Sequence, residues 1–533
     1  MISFVFFITA FVYSIFFLGL AGFFYPVLIQ ITGFFYLVAF LLYLTFVTKI
    51  KLENVMHTSI DLPSKTFIVF LVCMVLVNMI GMLGPELAFD ALWYHLTLPK
   101  IYLLQHHISV IPGGLLYYSA MPQYGEMLYA ISGALQTEII AKGIHFSFGL
   151  LTCLLTYWVA RTYLPRTFAL LAVLIFYSNL VVAWESITAY IDLIRTFFEI
   201  GAFYYFLHWL KNKKEKMFLV SAFFLGCAIA TKLLAVGSLL FFVGIILYRG
   251  YVEKPRRFFV KRVFQYVSIA LVVPLPWFIY SYYYTGNPVS PFFTPLYPTQ
   301  ITSQLGNPFV FLKDIIELFT RLADPISPLY AIVVPLLIVY RKILVKKIPV
   351  LLIYTACAIL LWYITPQTGG GRFILPYLPA FSVIASTAIF LTKGKWIQRG
   401  LLTITIVIAC ITIGYRGIAN MKYVPHLLGL ESKSQFLSSH LNFAFGDFYD
   451  SDGYFAKTIM QKDKVLLIGF HSLYYVNFPF VDSSFVKKGD RFNYIAIQHS
   501  DFPKRFMDGL KVYENKMTKV TVYKKSKGGV WEY

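Results

Sequence analysis

Acidic side chains that could act on a substrate follow the third long apolar segment of the chain. Glu86 and Asp90 are four residues apart, and Tyr94 and His95 come one turn later. If this stretch is helical, the two acids lie on one face. Ionisable groups at membrane depth are rare and functional by default, because a charge in hydrocarbon is costly. Asp90 has no cation near it in sequence, so it is the first candidate for chemistry.

More ionisable groups stand at the ends of later apolar segments. Asp192 and Arg195 are three residues apart, Lys232 separates two short apolar runs, and Arg372 follows the glycines at 369–371. Each has a structural alternative. Asp192 and Arg195 could neutralise each other, and Lys232 and Arg372 could reach from apolar helices to lipid headgroups.

These residue types suit the transfer of a sugar from a lipid phosphate. A carboxylate can take the proton from an acceptor hydroxyl as that hydroxyl attacks the anomeric carbon. Cations can hold and stabilise the departing phosphate. The catalytic candidates are Asp90, as general base, and Asp192. The substrate-binding candidates are Arg372, Lys232, Glu86, Tyr94 and His95.

Composition places these residues in a membrane protein. Of the 533 residues, 58% are hydrophobic and 13% are charged, against about 45–50% and about 25% in soluble domains. The net charge of +21 arises from short basic clusters between apolar segments, a pattern typical of membrane topology and not of a nucleic-acid-binding face. The five cysteines lie inside apolar runs, without the spacing of a metal site.

The predicted fold is an all-α polytopic membrane protein, with about thirteen transmembrane helices and a small α/β domain at the C-terminus. Residues 1–415 form the transmembrane domain, whose first outer loop, 84–123, contains an interfacial helix from Ala88 to Leu104. Residues 416–533 form the α/β domain, with strands at 464–469, 494–497 and 520–523. The predicted spans lie near 3–24, 27–48, 67–84, 143–161, 167–184, 190–210, 216–231, 233–248, 263–283, 328–340, 347–364, 372–392 and 399–415.

The distribution of Lys and Arg predicts the orientation. With a cytoplasmic N-terminus, the basic loops lie inside, among them 49–65, 211–216, 249–262 and 341–347. This agrees with the positive-inside rule. An odd number of crossings then places the first long loop and the C-terminal domain outside. The opposite loops contain few basic residues, among them Lys100, Lys232, Lys313, Arg321 and Arg372.

Several short motifs resemble a known superfamily. The stretch DALWYHLTLPK from Asp90, followed by MPQYGEML from Met121, resembles the first outer loop of bacterial C-type glycosyltransferases related to protein O-mannosyltransferases and the lipid A aminoarabinose transferase. The resemblance covers roughly residues 67–392. Further similar motifs are AYIDL from Ala189, ATK from Ala230, TGNP from Thr285 and RFILPYLP from Arg372.

The resemblance implies a many-helix fold, a catalytic base in the first outer loop and a polyprenyl-phosphate sugar as donor. Asp90 matches that base, Asp192 the second acid of the family, and Arg372 the basic residue near the lipid phosphate. The mannosyltransferases have a paired Asp-Glu, whereas Ala91 follows Asp90 here. The acceptor therefore stays open among lipid, glycan and protein, and a divalent metal stays open as a cofactor.

Other functions fit parts of the sequence. A secondary transporter would also need many spans with buried charges, although the apolar segments show no duplication and the charges gather at one face. A polymerase or ligase of surface polysaccharide would use the same polyprenyl-linked donors. A non-catalytic scaffold could bind sugars through its C-terminal domain. Sugar release from a polyprenyl-phosphate donor distinguishes an enzyme from a transporter.

Overall fold

A computed structural model of the protein describes residues 1–46, 61–252, 256–295, 308–321, 324–364, 370–506, 508–526 and 529–533. Most of these residues are helical, and a small sheet lies near the C-terminus. Part of the first predicted inner loop, with Lys49 and Lys51, lies outside the described residues, as does Gly369.

The helices follow one another with short connections over most of the chain. In the first half they are α1 (Ile2–Leu20), α2 (Pro26–Phe46), α3 (Leu62–Leu83), α4 (Thr97–Gln105), α5 (Tyr124–Ala134), α6 (Glu138–Arg161), α7 (Arg166–Tyr177), α8 (Leu180–Glu185), α9 (Asp192–Asn212), α10 (Glu215–Thr231), α11 (Val236–Val252) and α12 (Arg256–Val272). In the second half they are α13 (Leu275–Thr285), α14 (Pro308–Thr320), α15 (Leu329–Ile332), α16 (Val334–Val339), α17 (Arg341–Lys347), α18 (Pro349–Ile364), α19 (Gly371–Ile374), α20 (Leu378–Leu391), α21 (Lys395–Asn420), α22 (Val424–Leu427), α23 (Lys433–His440) and α24 (Tyr454–Thr458).

Helix length limits the number of membrane spans. Within the described residues, seven helices are long and apolar enough to cross a membrane, and up to nine are if each of two bent pairs counts as one span. The predicted count of about thirteen is therefore not confirmed. The predicted span at 167–184, for example, is the 12-residue helix α7 followed by the short α8. Twelve helical residues rise about 18 Å, less than the roughly 30 Å of a hydrocarbon core.

Helices α2 and α9 show the two extremes of burial. Among the residues of α2 only Ile29 is buried, so most of its surface faces away from the protein. In α9, by contrast, 16 of the 21 residues are buried, and the helix packs against α6 and α10. Asp192 is the first residue of α9. A buried acidic side chain therefore stands at the N-terminal end of this buried helix.

The first long loop contains the predicted interfacial helix in a broken form. A π-helical turn at Ala91–His95 is followed by α4, and α4 ends at His106, whose φ of 56° is left-handed. Glu86 lies before the helical residues. The expectation that Glu86 and Asp90 share a helical face is therefore wrong, because the chain is not yet helical at Glu86.

The C-terminal region contains a mixed sheet of five strands, β1 (Val465–Ile468), β2 (Phe480–Asp482), β4 (Tyr494–Gln498), β5 (Gly509–Asn515) and β6 (Val520–Lys525). Strand β1 lies parallel to β2 and β4, and β6 lies antiparallel to β4 and β5. The predicted strands at 464–469, 494–497 and 520–523 are confirmed as β1, β4 and β6. The helix before this region, α21, continues to Asn420, past the predicted boundary at residue 416. Two short strands, β3 (Arg491–Phe492) and β7 (Trp531–Glu532), pair with each other antiparallel.

The C-terminal region packs directly on the first long loop. The Lys100 ammonium in α4 donates to the carbonyl oxygens of Tyr474 and Val476, each at 2.5 Å. The Tyr475 hydroxyl donates to the Glu86 carbonyl oxygen at 2.9 Å. Because the two parts are in contact, they lie on the same side of the membrane that the helices cross.

Candidate functional site

Arg372 lies at the centre of a cluster of three carboxyl groups. Its Nη1 is 2.7 Å from Asp90 Oδ2, and its Nε is 2.9 Å from Asp192 Oδ2 and 3.4 Å from Glu185 Oε1. The Arg372 and Asp90 side chains are 14% and 16% exposed, whereas Asp192 is 1% exposed. The cluster is therefore an almost buried charged site with one accessible edge.

Two glycines bring Arg372 to this position. Gly370 has a left-handed φ of 50°, which favours glycine. At Gly371 a Cβ atom would lie 2.1 Å from the Asp324 carbonyl oxygen, so only glycine permits this close approach. The Arg372 backbone N–H donates to Asp324 Oδ2 at 3.1 Å. The segment before α19 is thus held against residue 324, and the Arg372 side chain extends toward the acids.

Asp192 binds two cations, one on each carboxylate oxygen. Lys232 Nζ is 2.7 Å from Asp192 Oδ1, while Arg372 holds Oδ2. Lys232 follows the last residue of α10, where its φ of −152° ends the helix. The alternative in which Asp192 pairs with Arg195 is wrong, because Arg195 contacts Glu199 at 3.2 Å, one turn further along α9.

Tyr190 contacts two members of the cluster, Arg372 and Asp90. The Arg372 guanidinium carbon lies 4.2 Å from the centre of the Tyr190 ring, a favourable cation–π distance. The Tyr190 hydroxyl accepts a hydrogen bond from the Asp90 backbone N–H at 3.1 Å. Tyr190 therefore fixes both the arginine and the backbone that carries Asp90.

Tyr94 also reaches Asp90. Its hydroxyl donates to Asp90 Oδ2 over a long 3.4 Å, and its ring stacks on Tyr118 with 3.7 Å between centroids. Burial raises the pKa of the Tyr94 phenol above its ordinary value. At neutral pH this phenol therefore keeps its proton and acts as a donor beside Asp90.

Glu86 and His95 lie outside the cluster, in contacts that support the loop. Glu86 accepts from the backbone N–H groups of Leu87, Ala88 and Ala189, the last at 2.6 Å. His95 Nδ1 is 2.7 Å from Glu126 Oε1, and both side chains are buried. The structure thus brings together four of the predicted residues, Asp90, Asp192, Lys232 and Arg372, with Tyr94 beside them.

Two further residues belong to the cluster, although neither was assigned a role in the site from the sequence. Glu185 is fully buried, and neither of its carboxylate oxygens has a hydrogen-bond partner in the described part of the chain. Tyr190 stands two residues before Asp192 inside the AYIDL motif. The position of Tyr190 in that motif was the available signal, whereas Glu185 was an isolated acid at the end of an apolar segment.

No group of three His, Cys, Asp or Glu side chains that could hold a metal ion was found among the residues that the structure describes. The cluster itself combines two cations with three acids. Such a site can bind an anion at Arg372 and Lys232, and it places a carboxylate at the accessible edge that can accept a proton.

Comparison with known proteins gives a family match and a shared fold. Residues 119–287 match the model of the dolichyl-phosphate-mannose-protein mannosyltransferase family. ArnT from Cupriavidus metallidurans bound to undecaprenyl phosphate superposes with a TM-score of 0.62 at 13% identity, over 87% of this chain and 99% of ArnT. Apo ArnT from the same organism gives 0.62 at 14% identity, over 88% and 99%. No match was found among curated protein sequences. The chain therefore has the fold of ArnT, and its resemblance to the C-type glycosyltransferases is confirmed.

Proposed function

We propose that the chain is a membrane glycosyltransferase that moves a sugar from a polyprenyl-phosphate donor to an extracytoplasmic acceptor. Asp90 acts as the general base, and Arg372 with Lys232 holds the donor phosphate. The active centre and the C-terminal domain face the outer side of the membrane. The observation that supports this proposal best is the position of Arg372 between Asp90 and Asp192, with Lys232 on the second oxygen of Asp192.

The proposed reaction is a direct displacement. The acceptor hydroxyl gives its proton to Asp90 while its oxygen forms a bond to the anomeric carbon of the sugar. The bond between that carbon and the phosphate oxygen breaks, and the polyprenyl phosphate leaves with the electron pair. Arg372 and Lys232 stabilise the negative charge that grows on this leaving group. The products are the glycosylated acceptor and the lipid phosphate.

Donor binding also changes the state of the base in this proposal. In the free protein, Arg372 Nη1 lies 2.7 Å from Asp90 Oδ2, so the guanidinium occupies one of the oxygens that could receive the proton. A phosphate that takes over this side of the guanidinium releases Asp90. Asp192 keeps Arg372 and Lys232 in place meanwhile, because it contacts both cations.

The relatives support the class of donor. ArnT from Cupriavidus metallidurans has been seen with undecaprenyl phosphate, a polyprenyl phosphate, and the matched family is described by a dolichyl-phosphate sugar. Both ligands combine a long apolar chain with one phosphate. A binding site for such a lipid needs cations at the edge of apolar helices, as Arg372 and Lys232 are here.

The direct test is sugar release by the purified full-length protein in lipid nanodiscs. Undecaprenyl-phosphate-linked hexoses and pentoses serve as donors, and lipid, glycan and peptide acceptors are offered in turn. The proposal predicts release of sugar and formation of undecaprenyl phosphate with at least one donor. Movement of intact donor across a sealed bilayer without cleavage would instead identify a transporter. Parallel reactions with EDTA or added Mg²⁺ determine whether a divalent metal is required.

A further inference from the structure

One side chain of the C-terminal region reaches the first loop beside the proposed base. The imidazole of His471 stacks on Phe89, with 4.4 Å between ring centres and 16° between planes, and contacts the Trp93 ring at 4.5 Å. Phe89 precedes Asp90 in the chain, and Trp93 follows it by three residues. The imidazole therefore lies against the two aromatic residues on either side of the base.

The backbone at His471 is held firmly in this position. Its N–H donates to the Gly446 carbonyl oxygen at 3.0 Å. Gly446 has a left-handed φ of 89°, and a Cβ there would lie 2.9 Å from the Cβ of His471. The residues that follow His471 contact the first loop. The Tyr474 carbonyl oxygen accepts from the Lys100 ammonium, and the Tyr475 hydroxyl donates to the Glu86 carbonyl oxygen. The ring is thus positioned from both sides before any substrate binds.

The ring carries a hydrogen-bonding atom that the protein itself does not use. His471 Nε2 is buried and has no partner among the residues that the structure describes. A buried polar atom without a partner is costly, so such atoms are uncommon unless a ligand satisfies them. Burial lowers the pKa of the imidazole, and nearby Asp90 opposes this effect. Near neutral pH the ring is therefore uncharged.

We propose that His471 is an acceptor-positioning residue, whose Nε2 hydrogen-bonds the acceptor molecule beside the hydroxyl that Asp90 deprotonates. The proposal rests on the glycosyltransferase function proposed above. It gives the C-terminal region a direct part in the active site, and it divides the site between a donor side at Arg372 and Lys232 and an acceptor side at His471.

A purely structural role for the ring makes a different prediction. If His471 only fills space between Phe89 and Trp93, then His471→Phe, which keeps an aromatic ring, behaves like the parent. If Nε2 binds the acceptor, His471→Phe loses that hydrogen bond, while His471→Gln restores part of it because its amide reaches a similar position. His471→Ala is not used, because it would also remove the packing of the ring against Phe89 and Trp93.

The experiment measures single-turnover sugar release from the best undecaprenyl-phosphate sugar, with octyl glucoside as added acceptor probe and water as background acceptor. We expect His471→Phe to slow release about 3- to 10-fold, the usual effect of one hydrogen bond, while affinity for undecaprenyl phosphate and thermal stability stay at the parent values. His471→Gln should recover part of the rate. Because burial lowers the His471 pKa, the parent rate should fall only at a pH below the ordinary imidazole value of about 6.5, where a charged imidazole next to Asp90 opposes proton transfer to that carboxylate. This His471-dependent decline should be absent in His471→Phe.

The outcomes separate the two proposals. A parent protein that releases no sugar from any donor overturns the proposed function and this assignment with it. A parent that releases sugar at the same rate as His471→Phe overturns the assignment alone. An equal loss of undecaprenyl phosphate binding in His471→Phe also overturns it, because the residue would then act on the donor side.

Discussion

Arg372 contacts acids that come from three separate parts of the chain, the first loop, the end of α8 and the start of α9. One guanidinium can satisfy several oxygens because its five N–H groups point outward in a plane. An ammonium group at this position would supply the charge without that geometry. At the level of single residues, the site therefore depends on an arginine and not merely on a positive charge.

The first prediction concerns Arg372→Ala, which should weaken the binding of undecaprenyl phosphate about 10- to 100-fold, since a charge-assisted contact contributes about 1.5–3 kcal/mol. Arg372→Lys should recover part of this loss. Lys313→Ala is the matched control, because Lys313 is 74% exposed on α14 and pairs only with Glu317 among the ion pairs of the described residues. Binding is measured by displacement of a fluorescent polyprenyl phosphate. An unchanged affinity in Arg372→Ala would assign Arg372 to a structural role.

The second prediction concerns Asp90→Asn, which keeps the shape of the side chain and removes its basicity. Sugar transfer should fall about 10²- to 10⁴-fold, the usual contribution of a general base, while undecaprenyl phosphate still binds. Both quantities are measured on the same preparation. If a folded variant still transfers sugar at more than about a tenth of the parent rate, its activity is far higher than this expectation allows. That result would exclude Asp90 as the base. Asp192 would then be the next residue to test.

Sequence reasoning identified Asp90, Asp192, Lys232 and Arg372, because a charge at the end of an apolar segment is conspicuous. It could not pair them, since their partners lie far away in the chain. Arg372 supplies the cation that Asp90 lacks in its own neighbourhood. His471 offered no such signal, because a histidine in a soluble region is ordinary until the fold places it beside Asp90.

At the level of helices, a second buried network holds the segment that carries Arg372. Arg195 and Glu199 pair at 3.2 Å within α9, and Arg195 also donates to the Tyr377 hydroxyl at 3.1 Å. Ser238 in α11 donates to Glu199 at 3.0 Å. Tyr377 stands five residues after Arg372. The network therefore ties α9 and α11 to the turn that follows Arg372.

The third prediction concerns this buried pair. Glu199→Ala leaves the Arg195 charge without its partner and should destabilise the protein by about 3–5 kcal/mol. The double variant Arg195→Met with Glu199→Leu removes both charges and should recover most of that stability. Thermal unfolding of each protein in the same detergent gives the comparison. A double variant no more stable than Glu199→Ala would show that the pair itself, and not the orphaned charge, is what matters.

The fourth prediction concerns the end of β2, where burial raises the pKa of Asp482 to about 6. Asp482 Oδ1 accepts from the Ser484 N–H at 2.8 Å, but Oδ2 is buried with no partner in the described chain. A carboxyl whose folded pKa is raised stabilises the fold at low pH and loses that contribution as the pH rises through about 6. Asp482→Asn should therefore stabilise the protein at pH 7, by about 3 kcal/mol at most.

The measurement for Asp482 is the thermal midpoint of the full-length protein between pH 5 and pH 7.5. The difference between Asp482→Asn and the parent should shrink as the solution becomes more acidic. Asp501→Asn, at an exposed acid of the same region, serves as control and should show no such trend. A pH-independent difference for Asp482→Asn would contradict the raised pKa.

Hydrophobic runs and alternation predicted three central strands and the general course of the helices, because these patterns reflect burial directly. They could not fix where a helix breaks. The π-helical turn at Ala91–His95 and the interruption between α7 and α8 depend on packing against other helices. The short strands β3 and β7 have two residues each, too few for a visible alternation.

At the level of the whole molecule, the contact between the first loop and the C-terminal region constrains the topology. Lys100 and Tyr475 join parts of the chain that are separated by most of the helices. Both parts must therefore lie at the same membrane face, as the sequence predicted from the distribution of basic residues. Which face this is follows from the positive-inside rule and stays a prediction.

The fifth prediction tests that orientation in a variant that lacks the native cysteines. Cysteines introduced at the exposed positions Pro112 and Lys516 should react with a membrane-impermeant maleimide in intact cells. A cysteine at exposed Lys214, between α9 and α10, should react only after the membrane is opened. Labelling of the Lys214 position alone in intact cells would reverse the orientation.

The contact between Asp90 and Arg372 also has a consequence for biosynthesis. A ribosome completes Asp90 and Asp192 long before it reaches Arg372, so the two acids enter the membrane without the arginine that later joins them. The site can form only after the segment carrying α19 has been inserted beside α9. A chain interrupted before residue 372 would thus contain both acids but not the arginine that joins them, and under the proposed function such an unfinished protein would not consume donor lipid.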